Sequence, residues 1–172
     1  LRDTVLRWQA EALRVSREVL RALGAALGQD EGYFDQWFDD EAAVHVKIVH
    51  YPPRAAEDAD QGVGAHKDYG YLALLQQDEV DGLQVRRQDG EWIDAVPVPN
   101  AFVFNIGEML EMATQGYLKA TQHRVVSPQS GRAPLLHPLL PRPAPRRDRD
   151  ATDKVERSGA EPGPQPVVIP LW

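Results

Sequence analysis

The stretch His66-Lys-Asp-Tyr-Gly-Tyr-Leu-Ala-Leu-Leu-Gln-Gln-Asp78 joins a chemical pattern to extended backbone. His66 and Asp68 stand two positions apart. On a strand, residues i and i+2 share a face, so this imidazole and carboxylate reach toward one ion together. Residues 70–76 read as a strand. A second imidazole, His123, lies inside another strand candidate, Leu118–Val126. Two imidazoles and one carboxylate on one face of a metal leave positions open for a co-substrate and for dioxygen, an arrangement that suits non-haem Fe(II). The spacing by itself is weak evidence, because ordinary loops also hold such residues.

Around this stretch the chain alternates short strands with turn signals. Ala43–Tyr51 sets Val44, Val46 and Ile48 on one side and His45, Lys47, Val49 and Tyr51 on the other, and Pro52-Pro53 stops it. Leu83–Arg86, Glu91–Val96 and Phe102–Ile106 follow, punctuated by Gly82, Asp89-Gly90 and Pro97/Pro99. Residues 4–27 read instead as a helix. Val5, Trp8, Ala12, Val15, Val19, Leu23 and Ala26 recur at threes and fours as an apolar stripe, with Asp3 as candidate cap and Gly28 as candidate stop. That stripe needs a covering surface, either a sheet of this chain or a segment outside it. Tyr33, Phe34, Trp37 and Phe38 form an aromatic cluster on a turn or short helix. Many short strands behind one long helix predict a β-sandwich or jelly roll and not βαβ units. No phosphate-binding or dinucleotide glycine motif is present.

Composition narrows the functional classes. The 172 residues fit one domain. With 26 acidic and 19 basic side chains the formal charge is -7, which disfavours a nucleic-acid partner. The absence of Cys excludes disulfide scaffolds, thiolate zinc sites, cysteine nucleophiles and Cys-ligated iron–sulfur clusters. No apolar run reaches the roughly 18 residues of a membrane span, and no signal peptide is visible, so a cytoplasmic location without a membrane partner is the expectation. The chain opens at Leu1 and not at Met, as a fragment or processed form does.

The segments flanking the triad are more specific than its spacing. His66–Asp78, Gly82-Leu-Gln-Val85, Gly90-Glu-Trp-Ile93, Asn105-Ile-Gly-Glu108, Thr114-Gln-Gly116, Tyr117-Leu-Lys119 and His123-Arg-Val125 occur in the order found in one family. From about Tyr33 to Ser127 the chain resembles the isopenicillin N synthase-like group of 2-oxoglutarate- and Fe(II)-dependent oxygenases. The resemblance implies a mainly β fold, a double-stranded β-helix (jelly roll) with an N-terminal α-helix. It implies His66, Asp68 and His123 as catalytic metal ligands, Fe(2+) as the metal and 2-oxoglutarate as co-substrate. It also implies oxidation of a small-molecule substrate by dioxygen (hydroxylation, desaturation or ring closure) with release of succinate and CO2. Tyr51 corresponds to a tyrosine that contacts the distal co-substrate carboxylate, although Val49 stands where relatives often carry Asn. Asn105 and Gly107-Glu108 correspond to a turn of structural use. Lys119 shares a strand face with Thr121 and His123, toward either the substrate mouth or solvent. The implied organisation is a helical segment at 1–31, a jelly-roll core at 32–133 and a divergent, largely irregular Pro/Arg-rich tail at 134–172.

The chain departs from that pattern after about residue 132. Relatives carry Arg-x-Ser on the next strand, with the Arg paired to the far carboxylate of 2-oxoglutarate. Arg132 has the right spacing from His123, but Pro134 stands where Ser belongs. The following Pro134-Leu-Leu-His-Pro-Leu-Leu-Pro141 is what a coding sequence for Arg-Tyr-Ser-Ile-Pro-Phe-Phe yields one register out of frame. Ten of the 14 prolines lie in residues 128–172. These departures predict an incomplete barrel that has lost the Arg-x-Ser strand, and they set an impaired or inactive truncated or frameshifted member, keeping only the metal triad, beside the active oxygenase. The segment that precedes the long helix in relatives is also absent.

Overall fold

The computed structural model describes residues 1–38, 44–51, 62–126, 135–141 and 168–170. The amphipathic N-terminal segment forms α1 (Arg2–Ala26). Asp3 lies in its first turn without capping through its side chain. At the other end Gly28 takes φ +74, and the N–H groups of Gly28 and Gln29 return to the carbonyls of Ala25 and Gly24 at 3.0 and 2.9 Å. A left-handed residue here closes the last turn, and glycine adopts it without a Cβ clash. The helix seam runs along Ala12, Ser16, Leu20 and Gly24, all buried, flanked by Trp8, Val15, Val19 and Leu23. At Gly24 an added Cβ would meet the Asp30 carbonyl and the Phe34 ring, so the small residue admits the aromatic cluster beside α1. Trp8 Nε1 donates to Gln76 Oε1 at 2.9 Å. The covering surface for the apolar stripe is therefore supplied by this chain.

A 3-10 turn (Asp35–Trp37) carries the aromatic cluster, and Phe34, Trp37 and Phe38 surround the fully buried Tyr71. The strands are β1 (Val44–Val46), β2 (Val49–His50), β3 (Val63–His66), β4 (Leu72–Gln77), β5 (Leu83–Arg86), β6 (Trp92–Asp94), β7 (Ala101–Ile106), β8 (His123–Val125), β9 (Leu135–Pro141) and β10 (Val168–Pro170). A short helix, α2 (Glu108–Ala113), follows β7. Six strands form one antiparallel sheet in the order β1-β9-β4-β7-β10, with β2 also on β9. Four form a second sheet in the order β3-β8-β5-β6.

Strand alternation divides the apolar residues between two cores. Leu72, Leu74, Phe104 and Leu139 pack on the α1 side. Tyr51, Leu75, Leu83, Val103 and Val125 come from both sheets and fill the space between them. This is the jelly-roll layout, two antiparallel sheets closed around one interior, with α1 covering an outer face. Among the described residues no helix is long and apolar enough to cross a membrane.

Leu135–Pro141 corrects one sequence-based expectation. The strand was predicted to be lost, yet β9 lies between β1 and β4, with Leu139 opposite both Val46 and Leu74. An apolar Leu/Pro run is compatible with a buried central strand, where a polar one is not. Pro138 lacks a ladder donor, but its carbonyl still accepts the Lys47 N–H at 3.1 Å. The predicted single strand over Ala43–Tyr51 is also divided, into β1 and β2, at Lys47-Ile48.

Candidate metal centre

Backbone register brings the two imidazoles together. His66 ends β3 and His123 opens β8, and the two are direct partners across that antiparallel pair. Their ring centroids lie 4.3 Å apart. Asp68 sits just past the end of β3, so it approaches from the connection to β4 and not along a continuous strand. Its Oδ2 is 3.5 Å from His123 Nε2, and its Oδ1 is 3.7 Å from His66 Nε2. One ligand-capable atom from each of the three residues lies within 4.8 Å of the others.

The outer ring nitrogens fit the donor set. His66 Nδ1 faces the Gly64 carbonyl at 2.9 Å, and His123 Nδ1 faces the Thr121 carbonyl at 3.3 Å. A carbonyl only accepts, so each contact favours a proton on Nδ1 and leaves the Nε2 lone pair turned toward Asp68. His123 is buried, and burial holds its pKa below the usual histidine value, with the Asp68 charge opposing and His66 adding to the lowering. A neutral imidazole is the ligating form. Two imidazole nitrogens and one carboxylate oxygen therefore converge, a donor set matched to a divalent first-row metal.

Helix α2 fixes the Asp68 segment. The Glu108 N–H donates to the Asp68 carbonyl at 2.8 Å, the Met109 N–H to the Tyr69 carbonyl at 3.1 Å, and the Gly107 N–H to the Tyr71 carbonyl at 2.9 Å. The Gly107 backbone passes so close to Gly70 that a Cβ there would overlap the Gly70 carbonyl oxygen. Glu108 thus contributes its backbone, while its side chain lies at the exposed start of α2. From the first turn of α2, Glu111 Oε2 accepts from Lys67 Nζ at 2.9 Å and from the Ala120 N–H at 3.1 Å. Lys119 Nζ lies 3.6 Å from Glu111 Oε1, and the Lys119 side chain is otherwise mostly exposed. Burial alone would raise the Glu111 pKa, but the Lys67 and Ala120 hydrogen bonds and the two lysine charges outweigh it and hold the carboxyl below its ordinary value. One carboxylate therefore ties the segment between His66 and Asp68 to the segment leading into His123.

Of the other sequence-derived candidates, Tyr51 lies in the inter-sheet core, where burial raises its phenol pKa. Arg132 lies outside the described residues. The sequence did not single out Glu111. Its only signal was Lys67, whose parity on an extended chain points it away from its two neighbours. Asn105, expected in a structural turn, lies within β7, and its side chain is buried with neither Nδ2 nor Oδ1 hydrogen-bonded.

Two antiparallel sheets with a His-x-Asp pair and a distant His gathered where they meet define a class of jelly-roll metalloproteins. The chain belongs to the 2OG-Fe(II) oxygenase superfamily, whose model matches residues 43–134. It is 34% identical over 139 residues to 1-aminocyclopropane-1-carboxylate oxidase 5 of Arabidopsis thaliana, covering 76% of this chain and 45% of that protein. It is 36% identical over 131 residues to a 2-oxoglutarate-dependent dioxygenase of Didymella fabae, covering 73% of this chain and 40% of that one. The fold superposes on a full-length Neurospora crassa protein, solved in complex with alpha-KG, with TM-score 0.76 and 30% identity, over 83% of this chain and 46% of that one. The chain thus spans less than half the length of these relatives.

Proposed function

We propose that this chain carries the catalytic centre of an Fe(II)- and 2-oxoglutarate-dependent oxygenase acting on a small molecule, with His66, Asp68 and His123 as the metal ligands. The observation that carries this is the convergence of three ligand atoms within 4.8 Å, both histidines with Nδ1 on a backbone carbonyl. Bound there, Fe(II) with 2-oxoglutarate and dioxygen supplies oxidation of a substrate C–H bond, with succinate and CO2 as co-products. The protein supplies position and dryness. The Gly64 and Thr121 carbonyls orient the imidazoles, α2 holds Asp68, and the inter-sheet apolar side chains exclude water from the inner side. Tyr51, whose ring lies in the inter-sheet core, is the candidate hydroxyl donor to the co-substrate, and Arg132 is the candidate partner of the far carboxylate.

The test is metal-dependent release of succinate from 2-oxoglutarate. Release that requires Fe(II) and stops with a chelator supports the reading, and a chain that binds no divalent metal refutes it. A second reading, a member that keeps the triad without turnover, rests on Pro134 in the place of Ser beside Arg132. Metal binding without succinate release selects it.

A further inference from the structure

We propose that Asn105 is a ligand-contacting residue of this centre, its side-chain amide donating to a carboxylate oxygen of the 2-oxo acid co-substrate; the proposal rests on the oxygenase reading above. Asn105 is 1% exposed, and neither of its side-chain polar atoms has a hydrogen-bond partner. Arg17, Trp37 and Gln77 each have one unpaired buried atom; Arg17 and Gln77 still bond a backbone carbonyl through a side-chain nitrogen, and Trp37 leaves only its indole N–H unpaired. Among the described residues Asn105 alone leaves two side-chain atoms unpaired. Folded proteins rarely bury an amide this way, because both groups give up water and gain nothing in return. An amide kept there calls for a partner that arrives with a ligand.

Its position says which ligand. Along β7, Phe102, Phe104 and Ile106 pack toward α1, whereas Val103 faces the space between the sheets. Asn105 shares the Val103 face. Its cross-strand partner is Ala73, whose side chain carries no polar atom to pair with the amide. On the facing sheet Val125 belongs to the same inter-sheet core, and His123, two residues earlier on β8, shares the Val125 face. The end of β7 is tied to the triad segment by the Gly107 N–H on Tyr71 and the Glu108 N–H on Asp68. Asn105 is therefore the last inward residue of β7 before the metal centre. The turn after it uses backbone groups, so a turn role leaves the amide unexplained. A neutral NH2 donor suits a metal-chelating carboxylate, because it donates to the anion without competing for the metal as a second carboxylate would.

The test uses Mn(II) as a redox-silent metal and 2-oxoglutarate as the probe, with Asn105→Leu, near in volume, and Asn105→Ala. Both variants are expected to keep Mn(II) affinity within about twofold of the parent and to lose about tenfold or more in 2-oxoglutarate affinity, the range for a hydrogen bond to a charged group. The metal-free Asn105→Leu protein is expected to melt at the same temperature as the parent or a few degrees higher, since an unpaired amide has been removed. A merely structural amide gives the reverse, a lower melting temperature with unchanged 2-oxoglutarate affinity, and overturns the proposal. So does failure of both variants to fold. A parent that binds Mn(II) but no 2-oxoglutarate overturns the co-substrate assignment and this proposal together. Parent-like 2-oxoglutarate affinity in a folded variant overturns this proposal alone.

Discussion

His66 and His123 are register partners on neighbouring antiparallel strands, 57 positions apart in sequence, with ring centroids 4.3 Å apart. Asp68 completes the cluster from the loop that leaves β3, 3.5 Å from His123. The sheet register, and not local sequence, sets this approach.

If these three residues are the ligands, His66→Ala, Asp68→Ala and His123→Ala each weaken Mn(II) or Fe(II) binding by more than about 100-fold, beyond the loss usual for residues that only support a ligand. Equilibrium dialysis of the three variants checks this. His66 is exposed, so His66→Ala is expected to keep the parent circular dichroism spectrum.

Glu111 reaches no ligand directly, yet it holds both ligand segments through Lys67 and Ala120. Glu111→Ala is expected to lower metal affinity about 10- to 100-fold. Glu111→Gln keeps an acceptor oxygen for the Ala120 N–H and should fall between parent and Ala. Metal titrations of the pair distinguish positioning from bulk destabilisation, since only positioning follows that order at equal folded fraction.

The depressed Glu111 pKa gives a pH dependence of definite sign. Below its ordinary value of 4.5 the unfolded chain takes up a proton that the folded chain still excludes. The stabilisation is present above that value and is lost as pH falls through the lower folded value. Acid unfolding curves of Glu111→Gln should therefore be flatter than those of the parent in this window, and the two should run parallel near neutrality.

At Gly107 the limit is space. Any Cβ overlaps the Gly70 carbonyl oxygen, so Gly107→Ala must push α2 away from the Asp68 segment. A loss of about 1–3 kcal/mol or more is expected from such overpacking. Metal affinity should fall with it, because the Glu108-to-Asp68 hydrogen bond is displaced. Urea denaturation and a metal titration measure the two effects.

Leu74 offers a contrast. It is fully buried between Phe104 and Leu139, on the α1 side of the sheet. Leu74→Ala should destabilise the fold by about 2–5 kcal/mol. Because Leu74 faces away from the inter-sheet space, metal affinity of the folded variant should stay within about twofold of the parent. Denaturation curves and metal titration again check both.

Much of the secondary structure was legible because it depends on local period. The apolar recurrence at threes and fours specified α1, and alternation specified the Leu72–Gln77 and Ala101–Ile106 strands to within two residues. Leu118–Val126 was too long, since only His123–Val125 pairs. The α1 seam was only partly visible, because Ser16 and Gly24 are buried for their small size and not for hydrophobicity. Helix α2 lies hidden behind the glycine turn, and the Leu/Pro run of β9 has no clean strand period. Both owe their place to contacts with distant residues, Asp68 and Tyr71 for the start of α2, and Val46 and Leu74 for β9.

The sequence alone determined the kinds of donor present, the family they belong to and the faces on which strand residues lie, because side-chain chemistry and backbone period are local properties. Tertiary structure decided that His66, Asp68 and His123 meet, that Glu111 braces two loops, and that Asn105 is enclosed without a partner. Those facts depend on strand register and sheet closure, where a shift of one residue would turn each side chain to the opposite face.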